Sequence, residues 1–155
     1  MTPTRILPDL QFSVVCEDVR REVTGGFTLV GVLHLLPVPQ LPFPIFKLFV
    51  LNRWTAGVGQ FTETVRFMAP DGTTVVRKSD VRFALKDPVH NATNMSFMGH
   101  LQLPAAGVYY IEVLVDDVMK LRYALPVVLV QPPPGSEAPP APVAPQGEDE
   151  ETPPK

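Results

Sequence analysis

Apolar residues recur at every second position along this chain as far as Val130, in short runs broken by glycine, proline and aspartate. No long stretch repeats them at the ~3.6-residue period of a helix. Side chains alternate between the two faces of a strand, so such a chain can bury its apolar half only in sheets, and an all-β fold follows. The clearest case is "GVYYIEVLVDDVMKLRYALPV". It places Tyr109, Ile111, Val113 and Val115 on one face, turns at Asp116-Asp117 and returns with Met119, Leu121, Tyr123 and Leu125, two rows expected to face each other across the core.

The same pattern places the other strands. A first strand covers about Gln11 to Val19, with Phe12, Val14 and Cys16 on one face. Gly25 and Gly26 supply the positive φ angles of a tight hairpin. The next strand, Phe27 to Leu36, is apolar on both faces and is expected near the centre of a sheet. "PVPQLPFP" has four residues without an amide proton and is expected to cross in extended form from one sheet to the other. "IFKLFVLNRW" follows, then "QFTETVRFMAP", in which Phe61, Val65 and Phe67 alternate with Thr62, Thr64 and Arg66. "PDG" at Pro70 to Gly72 is a turn. "TTVVRK", the alternating Val81, Phe83 and Leu85, and "MSFMGHLQL" complete the count before the last hairpin. About eight antiparallel strands at this spacing predict a β-sandwich of immunoglobulin-like or C2-like shape over residues 1–130.

Beyond Val130 the composition changes to "QPPPGSEAPPAPVAPQGEDEETPPK", with nine prolines and no aromatic residue. A segment of that kind buries too little apolar surface to offset its ordering entropy, so residues 131–155 are expected to be a disordered, proline-rich acidic tail. The tail carries five acids and one lysine, leaving twelve bases and eleven acids before it. That near-neutral balance gives no global attraction to nucleic acid or to an anionic membrane. The N-terminus has Pro3, Pro8 and Asp9 where a signal peptide would be unbroken and apolar, so a cytoplasmic chain is expected. Cys16 is the single cysteine, which excludes an intramolecular disulfide and a thiolate cluster and suits a reducing compartment.

Several of these features together resemble a family of small bacterial β-sandwich proteins known only as a domain of unknown function. They are the first strand ending in "VVCED", the glycine turn into "GGFTLVGV", the mid-chain Asp71-Gly72, and the last hairpin with Gly107, Tyr109, Asp116 and Leu125 to Val127. The resemblance covers about Leu10 to Val130. It implies the sandwich fold and brings no activity, ligand or catalytic residue.

Candidate sites are few. In "EDVRRE", Glu17, Asp18 and Glu22 offer carboxylates, but Arg20 and Arg21 among them oppose a dication. Asp18 shares a face with Val14 and Cys16 and is expected to be partly buried, fixing the hairpin through backbone amides or an arginine. Asp116 and Asp117 suit a tight turn, where aspartate caps amides and tolerates left-handed geometry. Tyr109, two residues after Gly107, fits a tyrosine corner, whose hydroxyl bonds upstream backbone. Trp54 is either an exposed interaction anchor or the closure of a core end. Arg66, Arg77, Lys78, Arg82 and Lys86 are expected to form a solvated basic strip. His34 is expected as a sheet histidine, His90 and His100 share no metal spacing, and Cys16 reads as a buried small side chain.

No nucleophile triad, phosphate loop or metal-ligand spacing is visible. The sequence therefore predicts a non-enzymatic binding or assembly module without cofactors. Its partner would be another protein or a second copy, met through a sheet face, an edge strand or the loops. The alternative is a calcium- or carbohydrate-binding module using the loop acids and Trp54.

Overall fold

The row Tyr109, Ile111, Val113 and Val115 is fully buried, and its hairpin partner continues the same wall. In the computed structural model, which describes residues 4–131, eleven strands and no helix are present among those residues. They are β1 (Asp9–Arg21), β2 (Phe27–Leu33), β3 (Leu36–Val38), β4 (Phe43–Ile45), β5 (Phe49–Thr55), β6 (Gly59–Met68), β7 (Val75–Leu85), β8 (Asn91–Phe97), β9 (Leu101–Leu103), β10 (Gly107–Val115) and β11 (Val118–Leu129). All but Gln131 of the segment expected as a disordered tail lies outside the described residues.

One sheet has the order β2-β1-β5-β8 and a second the order β3-β11-β10-β6-β7; β4 and β9 form a separate two-stranded pair. The two large sheets share one core. Val15, Val50 and Trp54 from the first pack with Phe61, Val65, Phe67, Tyr109, Ile111, Val113 and Leu125 from the second. A bond between the Ser13 and Tyr123 hydroxyls at 2.9 Å ties β1 to β11 across the layer.

The count exceeds eight because short pieces pair where the sequence suggested plain crossing. The "PVPQLPFP" region does not carry the chain from one sheet to the other, because β2 and β5 flank β1 in the same sheet; between them Leu36–Val38 pairs in parallel with β11 of the second sheet and Phe43–Ile45 pairs with β9. Three-residue strands tolerate the prolines because few amides are required of them. Conversely, "TTVVRK" and the following alternation join into the single strand β7, which pairs with β6 from Leu85 back to Val75.

Three orientations differ from expectation. The rows of the last hairpin lie side by side on one sheet, because strands of a hairpin bond each other; the opposing wall is β1 and β5. A register shift after Val113 also sets Met119 beside Leu114, out of the row expected for it. Strand β2 is an edge and ends at Leu33, so His34 stands exposed in a bend. Third, in β1 it is Ser13 and Val15 that face the core, while Phe12, Val14, Cys16 and Asp18 lie with Phe49, Leu51 and Arg53 of β5 on the outer face.

Tyr109 shows why the β10 start is fixed. Its buried hydroxyl donates to the Ala105 carbonyl, four residues upstream, at 2.9 Å, and its ring stacks on Phe67 at 5.4 Å. Removing the hydroxyl leaves that carbonyl without its bond at little change in volume. Tyr109→Phe is expected to lower stability by about 1 kcal/mol, read as a urea midpoint shift at unchanged slope.

Candidate functional site

The charged stretch "EDVRRE" is strand rather than loop. Strand β1 runs through Arg21, which pairs with Phe27, and the turn is confined to Glu22–Gly26, closed by the Glu22 amide on the Gly26 carbonyl at 2.8 Å. Of the two glycines only Gly25 has a positive φ, +91°. Asp18 is tied neither to Arg20 nor to the turn. Its carboxylate accepts from Lys47 Nζ and from the Val19 amide, each at 2.9 Å, and the ammonium holds its pKa below the usual carboxylate range. Arg20 adds only its charge, the weakest of these influences. Asp18 therefore links β1 to the segment entering β5.

At the other end, Asp116 and Asp117 make a two-residue turn with φ of +46° and +66°, the left-handed pair that a tight hairpin demands. Asp116 is fully engaged. Its carboxylate accepts from the Thr62 amide at 2.9 Å and pairs with Arg5, and its own amide donates to the Thr62 carbonyl at 2.9 Å. Arg5 also lies 4.7 Å over the Phe61 ring. A cavity of about 450 Å³ opens beside this knot, lined by Gln60, Phe61, Thr62, Arg82, Phe83, Ala84 and Asp116; a second, of about 320 Å³, is lined by Thr62, Thr64, Lys78, Asp80, Asp116 and Asp117. Among the described residues no three His, Cys, Asp or Glu side chains stand close enough to hold one metal ion.

Trp54 is 0% exposed, which rules out the surface-anchor alternative and leaves the core position. Its ring stacks on Phe83 at 5.7 Å, and its indole N–H donates to Glu63 Oε2. Asn94 Nδ2 donates to the same oxygen at 3.0 Å. Asn52, the cross-strand partner of Asn94, is fully buried with neither amide atom in an aligned hydrogen bond, and Glu63 Oε1 is likewise without a partner. Burial pushes the Glu63 pKa up, and the three neutral neighbours only partly offset it. A carboxyl group, an indole and two amides thus meet between the sheets. Sequence reading missed Glu63, yet its signal was present: it occupies the inward row of β6 with Phe61, Val65 and Phe67.

The expected basic strip is broken by acids. On the outer face of the second sheet, Glu112 is nearly buried between Arg66, at 3.0 Å, and Arg122, at 3.8 Å, one from each neighbouring strand. Arg122 also lies 4.1 Å over the Tyr110 ring. Asp80 sits beside Lys78 and accepts from the Thr64 hydroxyl at 2.6 Å. Arg77 belongs to the other row of β7, opposite Phe67. Two apolar residues of β10 also lie on this outer face, Val108 exposed and Leu114 buried.

The outer face of the first sheet has the opposite character. Phe12, Val14, Cys16, Val30, Val32, Phe49, Leu51, Met95 and Phe97 share it, because Cys16 pairs with Val32 and Phe49, and Leu51 pairs with Val14 and Met95. Phe49 and Phe97 rings meet at 5.3 Å. Arg53 lies over Phe12 and Lys47 over Phe49, so cations frame the aromatic rings. Cys16 and Leu51 are covered by their neighbours, while Val32, Met95 and Phe97 remain 61%, 42% and 52% exposed. Burial, with the nearby Asp18 carboxylate adding to it, raises the Cys16 pKa, the environment of an inert thiol.

Compared with known proteins, residues 11–128 match the model of a family of unknown function, DUF6941. No curated protein matches the chain.

Proposed function

The chain belongs to that family of unknown function, and we propose that it is a non-enzymatic binding or assembly module. It acts in the cytoplasm and receives a protein partner on the outer face of the β2-β1-β5-β8 sheet. The two-layer arrangement is read here as a β-sandwich of the immunoglobulin-like or C2-like kind. The observation that supports the reading is an apolar patch on the outer face of this sheet, made by Val14, Cys16, Val32, Phe49, Leu51, Met95 and Phe97 and bordered on that face by Asp18 and Arg53. An antiparallel sheet with one wet side ordinarily alternates apolar and polar residues, whereas here Val32, Met95 and Phe97 extend an apolar row into solvent. The outer face of the other sheet follows the ordinary pattern, with Arg66, Lys78, Asp80, Arg82 and Arg122 along it.

The test is quantitative co-purification of the tagged full chain from its own cells, against the double variant Val32→Glu and Phe97→Glu. Both positions are exposed, so the variant is expected to keep the wild-type circular dichroism spectrum and melting midpoint. Loss of specific partners from the variant is the expected result. Equal recovery by both proteins, or no recovery above background by either, overturns the reading.

A further inference from the structure

The apolar patch on the β2-β1-β5-β8 sheet is framed by cations at a definite spacing. Its aromatic rings, Phe12, Phe49 and Phe97, lie between Arg53 toward one end and Lys47 at the other, with Arg20 on the same face and Arg21 beside the turn. The acids near the Lys47 end, Asp18 and Glu22, are already engaged by Lys47 and by the Thr28 hydroxyl. Lys47 and Arg53 are six residues apart, about 20 Å along an extended chain. The segment 131–155 starts at the Lys47 end. Arg5, ahead of β1, pairs with Asp116, ahead of β11, and further along both strands Ser13 bonds Tyr123, so β1 and β11 run in the same direction across the core. Their far ends therefore lie together. One carries Arg20 and Arg21, and at the other the Val130 amide donates to the Val38 carbonyl at 2.9 Å, where the chain passes into Gln131.

From this placement we infer that the chain's own segment 137–151 docks on the patch, so that a partner reaches the face by displacing it. The inference rests on the reading of this face as a docking surface. The sequence of the segment is the counterpart of the frame: "APPAPVAP", Ala138 to Pro145, has no charge and is bracketed by Glu137 on one side and by Glu148, Asp149, Glu150 and Glu151 on the other. At about 3.1 Å per residue of a proline-rich chain, that run covers about 25 Å, close to the span between Lys47 and Arg53. Proline-rich runs suit aromatic surfaces because their backbone loses little freedom on docking. Reach is sufficient. Residues 131–137 extend over about 23 Å, while two packed sheets stand about 10 Å apart. Glu137 then falls at Lys47 and Arg20, and the four later acids fall toward Arg53. The outer face of the second sheet lacks this match, since Glu112 already holds Arg66 and Arg122, and Asp80 stands beside Lys78.

The test is the rate at which hydrogen peroxide converts Met95 to its sulfoxide in the purified full chain, read by peptide mass spectrometry. Met95, 42% exposed, lies in the patch, and Met119, 45% exposed on the other sheet, is the internal control. Two full-chain variants are compared with the wild type: Ala141→Glu with Val143→Glu, which charges the apolar run, and Glu148→Lys, Asp149→Lys, Glu150→Lys and Glu151→Lys, which reverses the acidic end. Both leave the eleven strands untouched, so the circular dichroism spectrum should not change. A tether gives the segment an effective concentration of about millimolar, and a docked-to-free ratio of about 2:1 slows Met95 oxidation about threefold. Each variant is therefore expected to oxidise at Met95 about threefold faster than the wild type, with Met119 unchanged. Equal Met95 rates in all three proteins overturn the inference. Protection that disappears on dilution also overturns it, because the segment would then come from a second copy. Unprotected Met95 in a chain that still loses its co-purifying partners on Val32→Glu and Phe97→Glu would leave the docking reading intact, so the two failures are distinct.

Discussion

Trp54→Ala is expected to bring the protein close to its unfolding threshold. The indole is fully buried, stacks on Phe83 and supplies a donor to Glu63, so the substitution opens a large cavity and removes a bond from a buried acceptor. Large aromatic-to-alanine changes in cores cost about 3–5 kcal/mol, and an orphaned buried acceptor adds about 1–3 kcal/mol. Domains of this size are stable by about 5–15 kcal/mol in total. Trp54→Phe separates the two contributions. It keeps a ring against Phe83 and loses only the N–H and part of the volume, so its midpoint in urea should fall between those of wild type and Trp54→Ala. Near-equal midpoints for Phe and wild type would show that the bond to Glu63 contributes nothing. Near-equal midpoints for Phe and Ala would show that the bond, and not the packing, is what Trp54 provides.

How far the sequence led depended on how different the two faces of each strand are. Strand β10 was legible because its inward row is unbroken and buried, and the turns at Asp71-Gly72 and Asp116-Asp117 were legible because those residues cap amides and accept positive φ. Strand β1 was ambiguous. Its row of Phe12, Val14 and Cys16 is more apolar than the row of Ser13 and Val15, yet the second faces the core. Alternation reports that two faces exist; when both are apolar it does not say which is inside. The edge position of β2 was hidden for the same reason. Asp18 was visible as a structural acid, but its partner Lys47 is distant in sequence, and only the pairing of β1 with β5 brings the two together. Short strands such as β3 and β4 left no periodic signal because three residues are too few to show one.

Glu63 is expected to make stability fall as pH rises. In the folded chain its carboxyl is buried among uncharged groups from every packed element: Trp54 and Asn52 on β5, Asn94 on β8, Val81 opposite on β7 and Val115 opposite on β10. Its folded pKa is therefore raised, chiefly by burial, above the ordinary value of 4.5. The folded state then binds a proton that the unfolded chain has already released, so this contribution to stability is complete below pH 4.5 and declines as pH rises through the folded pKa. Asp71 acts in a separate window. Bonded by Thr73 and Thr74, its pKa is held to about 2, and its contribution is present at higher pH and lost as pH falls through that value. Glu63→Gln should abolish the upper slope. The glutamine keeps an oxygen for Trp54 and Asn94 and gains an amide hydrogen for the Asn52 carbonyl oxygen, so it matches the protonated acid in shape and bonding. Urea unfolding from pH 4 to pH 9 should show similar stability for the two proteins at the acid end and a more stable variant at the alkaline end. Parallel curves across that range would mean that the Glu63 carboxyl titrates as freely in the fold as out of it.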